Sequence, residues 1–315
     1  MLSKAKVLVI GGSGFIGRNL IHALSGRVAE IRNLDVVPHR STEDHATHWP
    51  GSFLQTEILR EAMTGVDLVY HLAATAMPRE SNQNPQRDCR ENVVGTLSVL
   101  DTAVALNIRR LVFTSSGGTV YGPTDNVPIE EGHPTNPITA YGISKLACEK
   151  YLRLYDGKGR LSTLSLRVAN PYGPFQNLAK AQGALTTFCH QAISEEPITI
   201  WGDGSVQRDF VHIRDVAEAL VLAGAAEISG MEINIGSGQG RSLNDLLEVI
   251  GRSLGRDIPR SYEAGRSFDV ARNYLDITRA RELLGWAPEV ALEDGIAELL
   301  AYFRQQMATA QPPAR

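Results

Sequence analysis

The segment that most constrains this chain is a glycine loop close to its start. Residues 7–17 read VLVIGGSGFIG, so a short apolar run leads into glycines at 12, 14 and 17, and a helical pattern follows. Glycines in this order allow a tight turn and a close approach of the backbone to a pyrophosphate, whose charge the amides of the following helix attract. The loop therefore predicts a dinucleotide site at the first βα junction of a parallel sheet.

An acidic residue stands where the second strand of such a unit ends. Asp35 follows Gly17 by 18 residues. A carboxylate at this point accepts hydrogen bonds from the adenosine ribose hydroxyls and repels a 2′-phosphate. The loop and the carboxylate together predict NAD, in preference to NADP, as the cofactor.

The first half of the chain alternates runs of strand length with runs of helix length. Five strands are predicted, at Lys6–Ile10, Ile31–Val37, Asp67–Leu72, Arg110–Ser115 and Ser162–Arg167. Four helices are predicted between them, at Gly17–Ala23, Glu57–Ala62, Glu91–Leu106 and Tyr141–Tyr155. Repeated βα units form a parallel sheet with helices on both faces. We therefore expect an α/β fold, a Rossmann-type doubly wound parallel sheet with a smaller C-terminal substrate-binding lobe.

Beyond residue 170 the pattern loosens into a Pro/Gly loop, a WGDG turn and three helical stretches, at Val216–Ala226, Leu243–Leu254 and Ile277–Leu284. We assign residues 1–170 to an NAD-binding Rossmann domain, with a return segment near 211–235. Residues 171–210 and 236–315 are assigned to a second lobe. The tail from Met307 to Arg315 lacks periodicity and is expected to fray.

A tyrosine and a lysine lie four residues apart at the start of a strongly helical segment. In Tyr141-Gly142-Ile143-Ser144-Lys145 this spacing places both side chains on one helix face. A free tyrosine has a pKa of about 10 and is a poor base at neutral pH. An adjacent ammonium and an oxidised nicotinamide would favour the phenolate, which could then take a proton from a substrate hydroxyl.

Charge and cysteine usage argue against several classes of protein. The formal net charge is −4, so no global basic field would attract nucleic acid or an anionic membrane. Apolar runs such as Lys6–Ile10 are far shorter than a membrane span. The three cysteines show no CxxC spacing, which predicts neither a zinc site nor a disulfide framework. With a start that leads straight into the glycine loop and leaves no room for a signal peptide, we expect a cytoplasmic protein without a metal.

A whole-chain pattern connects these features. It includes GxxGxxG at Gly11, Gly14 and Gly17 and continues through HLAA (71–74), NVVGT, SSGGTVYG (115–122), YGISK (141–145), NPYGP (170–174), WGDGSVQRDFVHIRDVAEAL (201–220) and GW (285–286). The chain thereby resembles the extended short-chain dehydrogenases/reductases, and within them the NAD-dependent epimerase/dehydratase family. It is most similar there to UDP-glucose 4-epimerases and their N-acetylhexosamine relatives.

The resemblance implies that the lobe of residues 171–210 and 236–315 binds the nucleotide sugar, and it implies roles for particular residues. Tyr141 corresponds to the catalytic tyrosine and Lys145 to the lysine that binds the nicotinamide ribose. The cofactor-binding residues that it implies are Gly11, Gly14, Phe15, Ile16, Gly17, Asp35, Leu72, Ala73, Ala74, Asn92, Ser115, Tyr141 and Lys145. For the nucleotide sugar it implies Asn170 and two arginines on the diphosphate, Arg208 and Arg266, with Asp269 near the nucleoside ribose. A guanidinium fork suits phosphate geometry better than an ammonium does.

The chain departs from the family at one catalytic position. The family usually has Ser or Thr five residues before the last glycine of the SSGGTVYG segment, and this chain has Gly117 there. The hydroxyl that orients the sugar oxygen must then come from Ser116, from Thr119 or from a water bridge, and we favour Thr119. Dehydratases typically carry an Asp-Glu pair beside this position and decarboxylases keep the Glu, whereas Gly118 and Thr119 do not titrate usefully. Dehydration is therefore disfavoured.

These observations lead to one hypothesis and two rivals. The hypothesis is 4-epimerisation of a UDP-hexose or UDP-N-acetylhexosamine by transient oxidation and reduction at C4, with NAD recycled in place. One rival is an NAD(P)H-dependent 4-ketoreductase of a nucleotide deoxysugar, which uses the same Tyr/Lys chemistry once. The other is a non-catalytic NAD-binding protein, against which the intact Tyr141 and Lys145 argue and for which Gly117 argues. In this family the helices equivalent to Glu91–Leu106 and Tyr141–Tyr155 pair between subunits, so we expect a homodimer.

Overall fold

The parallel sheet at the centre of the protein is built from strands that are apolar on both faces. In the computed structural model, which describes residues 2–38, 46–74, 78–159, 161–176, 183–265 and 270–310, the first strand is wholly buried after its opening lysine. Val7 and Val9 pack into the core on one face, and Leu8 and Ile10 pack into the core on the other. A strand with helices on both sides must be apolar at consecutive positions, which explains its unbroken apolar run.

The strands are β1 (Lys6–Ile10), β2 (Glu30–Asp35), β3 (Ala46–Pro50), β4 (Leu68–His71), β5 (Arg110–Ser116), β6 (Ser162–Val168), β7 (Asn170–Tyr172), β8 (Ile198–Trp201), β9 (Gln207–His212), β10 (Met231–Ile235), β11 (Gly240–Ser242), β12 (Arg260–Glu263) and β13 (Arg272–Asn273). The helices are α1 (Phe15–Leu24), α2 (Thr56–Met63), α3 (Pro78–Gln83), α4 (Pro85–Asp88), α5 (Gly95–Ala105), α6 (Ala140–Asp156), α7 (Ala184–Ile193), α8 (Ile213–Ala225), α9 (Leu243–Leu254), α10 (Thr278–Leu284) and α11 (Leu292–Ala310), with a π-helical segment at Cys89–Val94.

The main sheet has seven strands in the order β3-β2-β1-β4-β5-β6-β10, and each neighbouring pair is parallel. The strand order reverses between β1 and β4, which is where open α/β sheets bind ligands at the carboxyl ends of their strands. The predicted Rossmann-type α/β fold is confirmed.

A second, smaller group of elements forms its own core. β9 pairs with β7, β11 and β13, and β8 pairs with β12. Apolar side chains from α7, α9 and α11 pack together beneath them, separately from the two cores of the main sheet. Domain boundaries at residues 170, 210 and 236 stay a prediction, although β10 pairs beside β6 in the main sheet.

The structure corrects several element predictions. β3, α7 and α11 were not predicted, and residues 307–310 are helical instead of frayed, while 311–315 lie outside the described residues. α11 is stabilised by Ile296, Leu299 and Phe303, a helical apolar stripe that packs on the second core. β3 has little strand propensity of its own and exists because its backbone pairs with β2 at the sheet edge.

Candidate functional site

The glycine loop adopts a geometry that only glycines allow. Gly11 has φ +88°, and a Cβ placed on it would lie 2.9 Å from the backbone nitrogen of Ala73. A Cβ on Gly17 would lie 2.3 Å from the carbonyl oxygen of Gly11. Gly14, which has no side chain to offer, stands at the N-cap of α1. The first-turn amides of α1 therefore need an acceptor from a ligand, and the pyrophosphate of a dinucleotide fits this cradle.

Asp35 braces the same loop at the end of β2. Its carboxylate accepts hydrogen bonds from the backbone amides of Ser13 (3.0 Å) and Val37 (2.9 Å). The hydroxyl of Ser13 in turn donates to the carbonyl of Val37 (2.7 Å). A carboxylate offers about four lone-pair sites, so two remain for ribose hydroxyls. This arrangement fits the predicted recognition of the NAD ribose.

The residues after β4 lie next to the glycine loop. The amides of Leu72 and Ala73 both donate to the carbonyl of Ile10, each at 3.0 Å. Leu72 and Ala73 are half-buried and Ala74 is exposed. Phe15 and Ile16, at the start of α1, are half-buried as well. The structure thus brings these predicted cofactor residues together around the ends of β1 and β4.

Helix α6 holds Tyr141 and Lys145 at the end of β5. The start of the helix is fixed by Thr139, whose hydroxyl accepts from the amide of Gly142 (3.1 Å), and by Asn82, whose side chain accepts from the amide of Ala140 (2.8 Å). The buried Nζ of Lys145 donates to the carbonyl of Thr114 at 2.7 Å. It lies 5.7 Å from the centroid of the Tyr141 ring. The predicted pair therefore shares one site.

The protein groups around Tyr141 hold it in the neutral form. Burial, followed by the charges of Asp88 and Cys148, raises the pKa of Tyr141 to about 12. Burial lowers the pKa of Lys145 to about 8, against the opposing effects of Cys148, Asp88 and Glu149. The predicted joint effect of the Lys145 ammonium and an oxidised nicotinamide on Tyr141 stays a prediction. A positive charge that a ligand brings close to Tyr141 would lower its pKa.

Thr119 lies against Gly142 in the first turn of α6, and its hydroxyl has no partner among the described residues. Its Oγ1 is buried and makes no hydrogen bond within the described part of the chain. A Cβ added to Gly142 would lie 3.2 Å from the Cβ of Thr119, which places Thr119 next to the first turn of α6. A buried hydroxyl without a partner is costly unless a ligand completes it. Ser116 is half-buried, and its carbonyl accepts from the amide of Thr119 at 3.3 Å.

The space beside Gly117 is occupied by a side chain from the distant end of the sequence. A Cβ on Gly117 would lie 2.5 Å from Cδ1 of Leu275, and Leu275 is fully buried. A serine or threonine at this position would therefore displace Leu275. This contact explains how the chain accommodates a glycine where its family has a hydroxyl.

Two further predicted cofactor residues are deeply embedded in hydrogen-bond networks. The Ser115 hydroxyl donates to the carboxylate of Glu149, which also pairs with Arg167 at 2.7 Å. The Asn92 side chain donates to the carboxylate of Asp88 at 2.8 Å. The side chains of Ser115 and Asn92 therefore hold the carboxylates of Glu149 and Asp88, and a cofactor could still contact their backbone groups.

The predicted substrate residues divide into two that the structure describes and two that it does not. β7 and β9 pair in parallel, and the side chain of Asn170 donates to the carbonyl of Asp209 at 3.0 Å. Arg208 on β9 donates to the carbonyls of Gln207 (2.8 Å) and Val270 (2.6 Å). Asn170 and Arg208 therefore lie on neighbouring strands. Arg266 and Asp269 lie outside the described residues.

Several residues of the site were not foreseen from the sequence. These are Asp88, Ser144, Leu275 and the buried pair of Glu149 and Arg167. A signal existed for Glu149, which extends the four-residue spacing of Tyr141 and Lys145 by one more step along α6. No sequence signal connects Asp88 or Leu275 to the site, because both reach it through contacts between distant segments.

Two negative findings concern the described ranges only. Within them, no group of three His, Cys, Asp or Glu side chains is arranged to hold a metal ion. None of the helices in these ranges combines the length and the apolar character needed to cross a bilayer.

Comparison with known proteins gives matches along the whole chain. The model of the NAD dependent epimerase/dehydratase family matches residues 7–236. UDP-glucose 4-epimerase of Mycolicibacterium smegmatis is 34% identical over 310 residues, which cover 96% of this chain and 99% of that protein. dTDP-4-dehydro-6-deoxyglucose reductase of Escherichia coli is 33% identical over 315 residues, which cover 96% of this chain and 98% of that protein. The structure of UDP-glucose 4-epimerase from Thermotoga maritima with UDP-glucose superposes with a TM-score of 0.91 at 32% identity, covering 96% of this chain and 99% of that one.

Proposed function

Because the chain belongs to the NAD-dependent epimerase/dehydratase family, we propose that it is an NAD-dependent 4-epimerase of UDP-hexoses or UDP-N-acetylhexosamines. The observation that carries the proposal is the meeting of three features at one edge of the sheet. These are the glycine cradle after β1, the Tyr141–Lys145 pair on α6 and the unpartnered hydroxyl of Thr119. Relatives that act on UDP-glucose support the choice of substrate.

The glycine cradle and Asp35 would hold the cofactor. The amides at the start of α1 face a pyrophosphate, the Asp35 carboxylate accepts from ribose hydroxyls, and Lys145 donates to the nicotinamide ribose. NAD, when bound, supplies the hydride acceptor and donor for C4 of the sugar and the positive charge of its oxidised ring. A cofactor enclosed in this way is reused in each turnover and need not be released.

Tyr141 is the proposed acid and base. Near positive charge its pKa falls from about 12, so the phenolate becomes accessible and takes the proton of the C4 hydroxyl. After the 4-keto sugar turns in the pocket, C4 would take the hydride back on its other face, and the Tyr141 phenol returns the proton to the C4 oxygen. Thr119 donates a hydrogen bond to that oxygen and keeps it in line with Tyr141.

Asn170 and Arg208 are the proposed contacts of the nucleoside diphosphate. They lie on the paired strands β7 and β9, and the Arg208 guanidinium is held by two backbone carbonyls. A fixed guanidinium loses little freedom when it binds a diphosphate. Arg266 and Asp269, which lie outside the described residues, are proposed for the diphosphate and the nucleoside ribose on the strength of the sequence.

One comparison favours a second candidate, a 4-ketoreductase of a nucleotide deoxysugar. The E. coli dTDP-4-dehydro-6-deoxyglucose reductase is 33% identical over nearly its full length. A reductase would use Tyr141 once, as the acid that protonates the developing C4 alkoxide. It would then release oxidised cofactor, which an epimerase does not do.

The two candidates are separated by incubating the purified protein, without added cofactor, with UDP-glucose, UDP-N-acetylglucosamine and their galacto epimers, and following the products by proton NMR. Interconversion without added NAD is the expected result. Tyr141→Phe should abolish it, whereas Tyr151→Phe, on the exposed face of the same helix, should not. If all four sugars return unchanged even with NAD supplied, the epimerase proposal is wrong. Stoichiometric consumption of NADH with a 4-keto deoxysugar nucleotide would then support the reductase.

We also propose that the protein is a homodimer and acts in the cytosol. Three apolar side chains on α6 are exposed, at 56% for Ile143, 37% for Tyr151 and 52% for Leu154, and with Val94 they form a stripe outside the core. A second copy of the chain, pairing α5 and α6 with its own, would bury this stripe. Cys89, Cys148 and Cys189 are free thiols, as expected in a reducing compartment.

A further inference from the structure

A buried carboxylate on α4 connects the elements that carry the proposed catalytic pair. Asp88 is 1% exposed, which is unusual for an aspartate. Ser81 on α3 donates to its Oδ1 at 2.7 Å, and Asn92 in the π-helical segment donates to the same atom at 2.8 Å. Ser144 on α6 donates to its Oδ2 at 2.5 Å. Three donors from three elements therefore converge on one carboxylate.

The position of Ser144 makes this convergence relevant to the reaction. Ser144 lies between Tyr141 and Lys145 on the first turns of α6. Asn92 is a predicted cofactor contact. From these contacts we propose that Asp88 is a positioning residue of the site, whose buried carboxylate fixes Ser144 and Asn92 beside the Tyr141–Lys145 pair. This inference rests on the proposed function and adds to it a residue that touches neither cofactor nor sugar.

The charge of Asp88 acts on both members of the pair. It raises the pKa of Tyr141, because a negative charge opposes the phenolate, and it raises the pKa of Lys145, because it favours the ammonium. The other titratable groups that face the pair are Cys148 and Glu149 on α6 and His71 at the end of β4. The charge of Asp88 thus opposes the phenolate of Tyr141 and, after that of Cys148, favours the ammonium of Lys145.

The test is the pH dependence of kcat/KM in Asp88→Asn, which keeps the size and most hydrogen bonds but removes the charge. Both limbs of the profile should move to lower pH by roughly one unit, since Tyr141 then ionises more easily and Lys145 loses its proton earlier. Asp88→Glu should restore the limbs toward their original positions. Ser144→Ala, which keeps the charge, should lower kcat and leave the limbs in place. Asp257→Asn, at an exposed carboxylate, controls for net charge.

The proposal is wrong if both limbs of the kcat/KM profile stay in place in Asp88→Asn. It is also wrong if Asp88→Asn and Asp88→Glu lower kcat/KM equally. If Asp88→Asn does not fold, Asp88→Ser serves as the second uncharged variant. Failure of the proposed function is recognised separately, because the wild-type protein would then turn over none of the four sugars. In that case the ionisation of Tyr141 is followed by tyrosinate absorbance in the NAD-loaded wild-type protein and in NAD-loaded Asp88→Asn. For each of the two, the absorbance of the same protein carrying Tyr141→Phe is subtracted. The same downward shift is expected, and its absence contradicts the proposal.

Discussion

Thr119 and Gly117 are two residues apart on the turn after β5, and their surroundings differ sharply. Thr119 has a buried hydroxyl without a partner among the described residues, beside the start of α6. Gly117 has no room for any side chain, because Leu275 fills the space. We therefore propose that Thr119 supplies the hydroxyl that the family places at the glycine position.

Replacing Thr119 with valine removes the hydroxyl and keeps the shape. We expect kcat to fall by about 10- to 100-fold, the value of one hydrogen bond to a group that develops charge. Ser116→Ala, on the same turn, should change kcat little. Steady-state epimerisation assays on the two variants make the comparison. An unchanged kcat in Thr119→Val together with a large loss in Ser116→Ala would move the role to Ser116.

Gly117→Ser should be destabilising because its side chain collides with Leu275. We expect a loss of about 1–3 kcal/mol in the free energy of unfolding, typical of overpacking. Leu275→Ala alone should cost about 2–5 kcal/mol through the cavity that it leaves. The double variant should be more stable than the sum of the two losses predicts, by about 0.5–3 kcal/mol. Urea unfolding of the four proteins measures this coupling, and strict additivity would show that the two side chains do not compete for the same space.

Among the elements, helix α6 does most to organise the site. Tyr141, Lys145 and Glu149 follow one another at four-residue spacing along it. Glu149 forms a two-point ion pair with Arg167 of β6, at 2.9 and 2.7 Å, and also accepts from Ser115 of β5. Both members of the pair are almost completely buried. The helix is thereby attached to the two strands whose ends support the catalytic pair.

Glu149→Gln should weaken this attachment strongly. It leaves the Arg167 guanidinium buried without a counter-charge, and removing one partner of a buried ion pair costs about 3–5 kcal/mol. Glu248→Gln on the exposed face of α9 is the matched control and should change stability by less than about 0.5 kcal/mol. Urea unfolding monitored by circular dichroism gives both values. Equal stabilities in the two variants would contradict a stabilising role for the pair.

The segment before α5 shows how an element can differ from its sequence pattern. The sequence predicts one helix over Glu91–Leu106, whereas the structure has α4, a π-helical turn and α5 in direct succession. The wider turn lies next to the site, where such segments are often found. It holds Asn92, whose side chain turns inward to Asp88. The spacing of apolar residues alone does not predict a change from α-helical to π-helical pitch.

For the whole molecule, the exposed stripe on α6 predicts the oligomeric state. If α5 and α6 pair with a second copy, Leu154→Glu should place a charge in the interface and shift the protein from dimer to monomer. Leu283→Glu, at another exposed leucine away from the stripe, should leave the dimer intact. Analytical ultracentrifugation distinguishes the two. A wild-type protein that sediments as a monomer would contradict the homodimer proposal.

Two buried histidines should make the whole molecule sensitive to acid. Burial and then the charge of Lys145 lower the pKa of His71 to about 3, and burial and then Arg214 lower that of His212 to about 4. Below the unfolded value of about 6.5, the unfolded chain binds protons that the native protein does not. Each histidine therefore reduces stability by up to about 1.4 kcal/mol per pH unit as the pH falls from 6.5 toward 4.

The check is the free energy of unfolding in urea at a series of pH values from 7.5 down to 5. His212→Asn removes one titrating group and retains a residue suited to the N-cap of α8, where His212 accepts from the amide of Arg214. The loss of stability with falling pH should be shallower in this variant. A slope identical to that of the wild-type protein would show that His212 does not contribute.

The sequence by itself determined the fold class and the family, and it predicted the residues of the cofactor site. The glycine loop, Asp35 and the Tyr141–Lys145 spacing are local patterns, and their geometry follows from residues that are neighbours in the chain or share one helix face. Contacts between distant segments were decided only by tertiary structure. Leu275 reaches Gly117 across more than half of the sequence, and Asp88 meets Ser144 because α4 packs on α6. The packing of Leu275 on Gly117 and the contact of Asp88 with Ser144 both join segments that are far apart in the chain, so no local sequence pattern predicts them.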